Sequence, residues 1–238
     1  MLFVRSTLFN IFFFTITPIY SLLLIISRVM GFSASWFWAR QWSHTVLWFA
    51  KIFCGIYVKV EGKEHLTDTP CVVMAKHQSA LETIAMPLLI PPYVWVLKKE
   101  LLHIPIFGWA LRVVDAIAVD FSNPRQALKS VNSQGEQFLH DGRWVVIFPE
   151  GTRAAVGHPE KYKGGGIMLA KKSGVGILPL AHNTGCCWGK RSYIKTPGTV
   201  RLRFLPMISA AEVASRPRKE LLQQLEHDIE SHTRELGG

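Results

Sequence analysis

A histidine and a glutamate five residues apart, in Ala75-Lys-His77-Gln-Ser79-Ala-Leu-Glu82, supply an imidazole and a carboxylate. An imidazole has a reference pKa near 6.5, so it can take a proton from an alcohol at neutral pH. A carboxylate on its other ring nitrogen fixes the tautomer and stabilises the imidazolium that forms. On one continuous helix the two side chains would stand roughly 140° apart and out of reach. They meet when His77 lies in a loop and the helix begins at Ser79. Ser79-Ala-Leu-Glu82 also matches a capping box, in which Glu82 simply accepts from the Ser79 backbone N–H. A carboxylate has two oxygens, so the two roles are compatible.

A second constellation follows about seventy residues later in Phe148-Pro149-Glu150-Gly151-Thr152-Arg153. Phe148-Pro149 ends an apolar run, and Gly151 permits a tight turn. Thr152 and Arg153 then offer a hydroxyl and a forked donor suited to phosphate. Glu150 belongs to the same turn. Downstream, Tyr162-Lys163-Gly164-Gly165-Gly166 presents backbone N–H groups at a helix start, with Lys161 and Lys163 alongside. In isolation each piece is also an ordinary turn with solvated cations. A base together with an anion site points to an acceptor that carries both a hydroxyl and a phosphate.

Several other chemistries are excluded. Gly185-Cys-Cys-Trp-Gly189-Lys190-Arg191 is one residue short of a Walker A loop and lacks its Ser or Thr. There is no G-x-S-x-G elbow. The nine histidines and four cysteines show no zinc spacing and no CxxC pair, so no metal site is expected. Cys54 and Cys71 sit in apolar runs and read as buried thiols of a reducing compartment.

These residues need elements to place them. Short β-branched runs mark strands at Tyr57–Val60, Cys71–Ala75, Tyr93–Leu97, Ala116–Val119, Trp144–Phe148, Val175–Leu180 and Val200–Leu205. Helical stretches alternate with them: Ala80–Leu89, Ile106–Val114, Pro124–His140, Gly165–Ser173 and Ala210–Leu236. This alternation predicts an α/β fold with a mostly parallel central sheet flanked by helices. In such sheets the sites form beyond the carboxyl ends of strands, where both constellations fall.

With 238 residues, one full catalytic domain is expected over residues 55–238. Residues 1–54 read as a membrane-anchoring two-helix segment. The chain from Ser6 to Ile26 is uncharged and almost wholly apolar, interrupted by Pro18. At about 1.5 Å per residue it would just reach across a hydrocarbon core of roughly 30 Å. A turn at Gly31 leads to a second helix, Ser35–Phe53, with Arg40, His44 and Lys51 on one face and Trp38, Trp42, Phe49 and Ile52 opposite. Four of the eight tryptophans fall between Trp36 and Trp48, and their rings favour a membrane interface. The formal charge of +10 is scattered, which suits an anionic membrane or acidic substrates. No basic–aromatic interleaving of the kind that binds nucleic acid occurs, and none is expected as a partner.

In this order and spacing, the two constellations resemble those of the glycerolipid acyltransferase superfamily, in particular the bacterial 1-acyl-sn-glycerol-3-phosphate acyltransferases. The resemblance runs from about Tyr57 to Leu205, with Ile177-Leu-Pro179-Leu similar to the family's last apolar block. It implies transfer of a fatty acyl chain to the sn-2 hydroxyl of lysophosphatidic acid, giving phosphatidic acid. The donor would be acyl-CoA or acyl carrier protein, with no bound cofactor. His77 would be the base and Glu82 its orienting carboxylate; Glu150, Gly151, Thr152 and Arg153 would hold the acceptor phosphate, with Lys161 and Lys163 nearby. The implied location is the bacterial inner membrane, with the site facing the cytoplasm. The sequence departs from the family twice. Glu82 stands where aspartate is usual, and Phe121 stands where the second block carries a phosphate-binding arginine. Arg112, Arg125 and Lys98 are the candidate substitutes. The second departure leaves room for another acceptor, a lysophosphatidylethanolamine-type or lyso-ornithine lipid. A non-catalytic protein that binds anionic lipid or acyl-CoA is the remaining alternative, although a binder has no need for a base.

Overall fold

A computed structural model describes all 238 residues. Seven strands form one sheet: β1 Ile56–Glu61, β2 Val72–Ala75, β3 Tyr93–Lys98, β4 Ile117–Val119, β5 Trp144–Ile147, β6 Ile177–His182 and β7 Gly198–Phe204. Their order is β1-β7-β6-β2-β5-β3-β4. Every neighbouring pair is parallel except β6 with β7, which run antiparallel. The mostly parallel α/β architecture expected from the alternation is the one observed. All residues of β2, β5 and β6 are buried, as strands covered on both faces must be.

Successive side chains enter two separate cores. Val73, Ala75, Trp144, Val146, Leu178 and Leu180 pack on one side of the sheet. Val72, Met74, Val145, Ile147, Ile177 and Ala181 pack on the other. The second side is covered by α5 Pro124–His140, α6 Gly165–Ser173, α8 Ala210–Ser215 and α9 Arg218–Glu235. The single helix expected over Ala210–Leu236 is two helices. Ser209 starts the first with a reciprocal capping box, and Pro217, unable to continue a helix from its missing N–H, begins the second. The first side is covered by the short α3 Leu81–Ala85, by α4 Phe107–Val113 and by the N-terminal hairpin.

That hairpin comprises α1 Leu2–Ser27 and α2 Phe32–Cys54, turned at Gly31, whose φ of 102° suits glycine. Its second helix does not simply lay its aromatic face on a membrane. A stripe of Ser35, Ala39, Ser43, Val46, Ala50 and Cys54 is buried at helical spacing, with Trp36 beside it set edge-on to Tyr93 in the core on this side of the sheet. Trp38, Trp42 and Phe49 are half-buried against α1: Phe49 stacks on Phe12, and the Trp42 indole N–H donates to Thr17. Arg40, His44 and Lys51 stay exposed.

The first helix runs unbroken through Pro18. It is fastened to the domain at both ends: the Lys195 backbone N–H donates to Ser6 Oγ at 2.9 Å, and Arg28 stands 3.6 Å from Asp115, while Arg5 Nε donates to the Phe53 carbonyl of α2. Phe9 is fully buried between the hairpin and Trp188. The opposite side of α1 exposes Val4, Leu8, Ile11, Phe14, Ile19, Leu22 and Ile26.

Candidate active site

Strands β6, β2, β5 and β3 are neighbours in the sheet, with β6, β2 and β5 parallel. Their carboxyl ends therefore bring residues 76–82, 148–153 and 182–185 together despite the distances between them in the chain. After β2 the chain leaves the sheet, and α3 does not start until Leu81, so His77 lies in a loop. This is the arrangement the five-residue offset requires.

His77 Nδ1 lies 2.7 Å from Glu82 Oε1. The same oxygen accepts the backbone N–H of Gln78 at 3.1 Å and of Ser79 at 2.9 Å. The capping interaction and the imidazole contact thus coexist on one oxygen. Ser79 departs from the reciprocal box: its hydroxyl accepts from Leu81 N. Glu82 is fully buried. Burial alone would raise its pKa, but the facing imidazoles of His182 and His77 and the hydrogen bonds from His77 and Ser79 outweigh it and hold the carboxyl at about 2. An ionised Glu82 requires a proton on His77 Nδ1, which leaves Nε2 as the basic nitrogen. The ring stacks on Phe148 with centroids 4.0 Å apart and lines a cavity of about 890 Å³.

The cavity is amphiphilic. Gly151, Thr152, Arg153 and Lys163 line it close to His77 in the fold, while Trp95, Leu97, Leu101, Phe107, Leu111, Val119, Leu128, Val131, Met168 and Leu222 give it apolar walls. Gly151 has φ +70°, and a Cβ there would stand 2.9 Å from Lys163 Nζ. The left-handed φ is what calls for glycine, since the lysine tip ends a flexible side chain that can shift. Lys163 Nζ also sits 5.6 Å from the centre of the Phe121 ring. Of the three candidate substitutes for an arginine at position 121, Lys98 lines the cavity, whereas Arg112 and Arg125 do not. Lys190, Arg191 and Arg218 also line it. Arg218 comes from the start of α9, whose sequence carries no motif that would have pointed here.

Two residues expected at the phosphate site lie elsewhere. Glu150 does not line the cavity but points into the protein. It is buried, with Oε1 2.8 Å from Lys76 Nζ and 3.5 Å from the His77 backbone N. Burial pushes its pKa up to about 7, against the pull of Lys76. The same lysine reaches Glu230 on α9 at 2.6 Å, and Tyr162 donates to Glu230 at 2.9 Å. One buried ammonium therefore serves two carboxylates directly behind His77. Because Tyr162 turns inward, Lys161 turns outward into solvent away from the cavity, and the chain brings back only Lys163.

The carboxyl end of β6 contributes residues that no sequence motif marks. Thr184 donates to Glu82 Oε2 at 2.7 Å, and the Gly185 N–H donates to Gln78 Oε1 at 3.3 Å. They begin α7 Thr184–Cys187, immediately after the apolar block at Ile177. Their signal was position alone, since they follow a strand at the same edge of the sheet as the other two loops.

An α/β sheet that holds an imidazole–carboxylate pair at the wall of an amphiphilic, cation-lined cavity defines an enzyme that can activate a hydroxyl on an amphiphile. Residues 57–183 match the family model described as Acyltransferase, and the chain belongs to that family. It is 40% identical over 207 residues to a 1-acyl-sn-glycerol-3-phosphate acyltransferase of Pseudomonas aeruginosa, covering 87% of this chain and 80% of the relative. A relative of the same name from Saccharomyces cerevisiae is 27% identical, over 86% of this chain and 67% of its own. Among solved structures, the crystal structure of the 1-acyl-sn-glycerophosphate (LPA) acyltransferase PlsC from Thermotoga maritima superposes with a TM-score of 0.79, covering 100% of this chain and 98% of the other. At 23% identity that likeness bears on the fold alone. The chain is an acyltransferase enzyme of lipid metabolism.

Proposed function

We propose that the protein transfers a fatty acyl chain from a thioester, acyl-CoA or acyl carrier protein, to the sn-2 hydroxyl of lysophosphatidic acid. The observation that carries this reading is the placement of His77. Its Nδ1 is engaged by an ionised Glu82, and its ring lines a cavity that pairs apolar walls with Thr152, Arg153 and Lys163. A lysolipid has the matching parts: an apolar chain, a free hydroxyl and a phosphate. The names of the relatives support the same acceptor.

In this mechanism His77 Nε2 takes the proton of the sn-2 hydroxyl as that oxygen attacks the thioester carbonyl carbon. The carbonyl becomes a tetrahedral oxyanion, and Glu82 stabilises the imidazolium that has formed. Collapse restores the carbonyl and breaks the carbon–sulfur bond. The departing thiolate takes the proton back from His77, leaving phosphatidic acid, a free thiol and the enzyme unchanged. Arg153 and Lys163 hold the acceptor phosphate, with Gly151 and Thr152 shaping the turn.

Residues 1–54 form the membrane-docking part. The outer side of α1 inserts into one leaflet, because its inner side is committed to α2 and the domain. Purified full-length protein, radiolabelled acyl-CoA and a panel of lysolipids test the proposal. Phosphatidic acid as the dominant product is expected. Preferential acylation of a lysophosphatidylethanolamine or a lyso-ornithine lipid would move the acceptor assignment, and no product from any acceptor would refute the function.

A further inference from the structure

Beyond the base and its carboxylate, the buried end of β6 carries a hydrogen-bonded chain that the proposed mechanism does not use. Glu82 Oε1 takes three N–H donors, but Oε2 has one partner, the Thr184 hydroxyl at 2.7 Å. Thr184 in turn lies against His182: its backbone N–H is 3.4 Å, and its Oγ1 3.1 Å, from His182 Nδ1. His182 Nε2 lies 2.7 Å from the backbone carbonyl of Lys76, one residue before His77. Glu82, His182 and Thr184 are all fully buried.

The donors can be assigned from this geometry. A carbonyl only accepts, so His182 Nε2 must carry a hydrogen. The Thr184 backbone N–H points at Nδ1, so Nδ1 accepts and the ring carries its one hydrogen on Nε2; burial, which pushes the His182 pKa down, favours the same neutral form. The Thr184 hydroxyl has one hydrogen and two facing acceptors. The shorter distance and the carboxylate charge direct it to Glu82. His182 therefore holds Thr184 through its backbone N–H and holds the peptide of Lys76 through its own N–H. Thr184 holds Glu82.

We infer that Thr184 and His182 are positioning residues for the His77–Glu82 pair. A carboxylate fixed at one oxygen can still pivot about it. Thr184 closes the second oxygen, so Glu82 presents Oε1 to His77 in one orientation. His182 ties that hydroxyl to the loop bearing the base, so base and carboxylate are set by the same strand end. This inference rests on the reading of His77 as the base.

The test uses the full-length protein in detergent, with two readouts: steady-state acyl transfer, and the low-field proton NMR signal of the His77 Nδ1–H, assigned by its loss in His77→Ala. Thr184→Val keeps the shape and removes the hydroxyl, and it should lower kcat about tenfold or more while leaving both KM values within about twofold. Thr184→Ser should restore kcat to within about threefold of the parent. The NMR signal should shift or vanish with valine and return with serine. Should valine's second methyl prevent folding, Thr184→Ala gives the same comparison. His182→Ala should act in the same direction as Thr184→Val, and His182→Gln, whose amide can donate to Lys76, should recover part of the loss. A valine variant with parental kcat and an unmoved signal overturns the inference, as does a loss that serine fails to restore or one that appears only in KM. If the parent acylates no lysolipid, the functional reading fails, and the NMR series still decides the positioning role.

Discussion

Replacing Glu82 by glutamine removes one negative charge while leaving a side chain of nearly the same shape, and the surrounding donors determine how it must sit. Three N–H groups converge on Oε1, from His77, Gln78 and Ser79. An amide nitrogen placed there would face them donor to donor, so the amide oxygen takes that site. The amide NH2 then meets Thr184 Oγ1, which can accept and pass its own hydrogen to His182 Nδ1. The right tautomer of His77 therefore survives, and only the electrostatic support of the imidazolium is lost. Since Glu82 is held at a pKa of about 2, that loss is a full charge at any assay pH from 5 to 9. A hydrogen bond to a charged group contributes about 1.5–3 kcal/mol, which corresponds to a fall in kcat of about tenfold to a hundredfold. Glu82→Ala should cost far more, about a thousandfold, because it leaves all three N–H donors without their acceptor and frees the ring. Initial rates at saturating donor and acceptor separate the cases. Parental kcat in Glu82→Gln would show that the charge is not used, and a loss as deep as that of Glu82→Ala would show that the tautomer, not the charge, had been disturbed.

Arg153→Ala should raise the KM for the acceptor by about tenfold to a hundredfold with kcat little changed, as expected for a forked donor to phosphate; an effect confined to the acyl donor would reassign the residue. Glu150 gives a stability prediction with a defined sign. Its folded pKa of about 7 lies above the value of about 4.5 for a free glutamate, so the folded state binds the extra proton between those pH values, and stability falls as pH rises from 4.5 to 7. Relative to Glu150→Gln, the parent should lose up to about 3 kcal/mol over that window in denaturant titrations, and a pH-independent difference would contradict the buried, proton-binding site. Deleting residues 1–54 would remove Phe9, Trp36, Val46 and Ala50 from the core, so point changes are the cleaner probe of docking. Phe14→Glu with Leu22→Glu, both on the exposed side of α1, should abolish sedimentation with anionic vesicles while leaving the melting temperature nearly unchanged.

Local signals in the sequence carried much of the fold. Asn123 followed by Pro124 starts α5 where a side-chain cap and a proline at the first helical position place it, and Gly174 in the left-handed region ends α6 as expected. The break at Pro217 was visible as a proline and was overridden by helical periodicity on both sides. The His77–Glu82 contact was legible because both residues lie within one loop and one helical turn. Lys76 with Glu230 was not: the partners are 154 residues apart, and only the packing of α9 on the sheet brings them together. For the same reason Glu150 read as a phosphate ligand, since the buried lysine that turns it inward leaves no mark in its own motif. The packing of α2 was only partly legible: the exposed face of Arg40, His44 and Lys51 follows from the charge pattern, whereas burial of Ser35, Ala39, Ser43 and Ala50 leaves no hydrophobic signal. The cations of Lys190, Arg191 and Arg218 reach the cavity from segments with no local reason to be there.

In the proposed mechanism His77 is the base of acyl transfer to a lysolipid at a membrane surface. Parent and His77→Ala proteins, bound to vesicles containing lysophosphatidic acid and supplied with labelled acyl-CoA, test it directly by the rate of phosphatidic acid formation. The expected loss in kcat is about 10²–10⁴-fold or more, with vesicle binding unchanged. A His77→Ala protein that binds the vesicles and still turns over at most of the parental rate would contradict it.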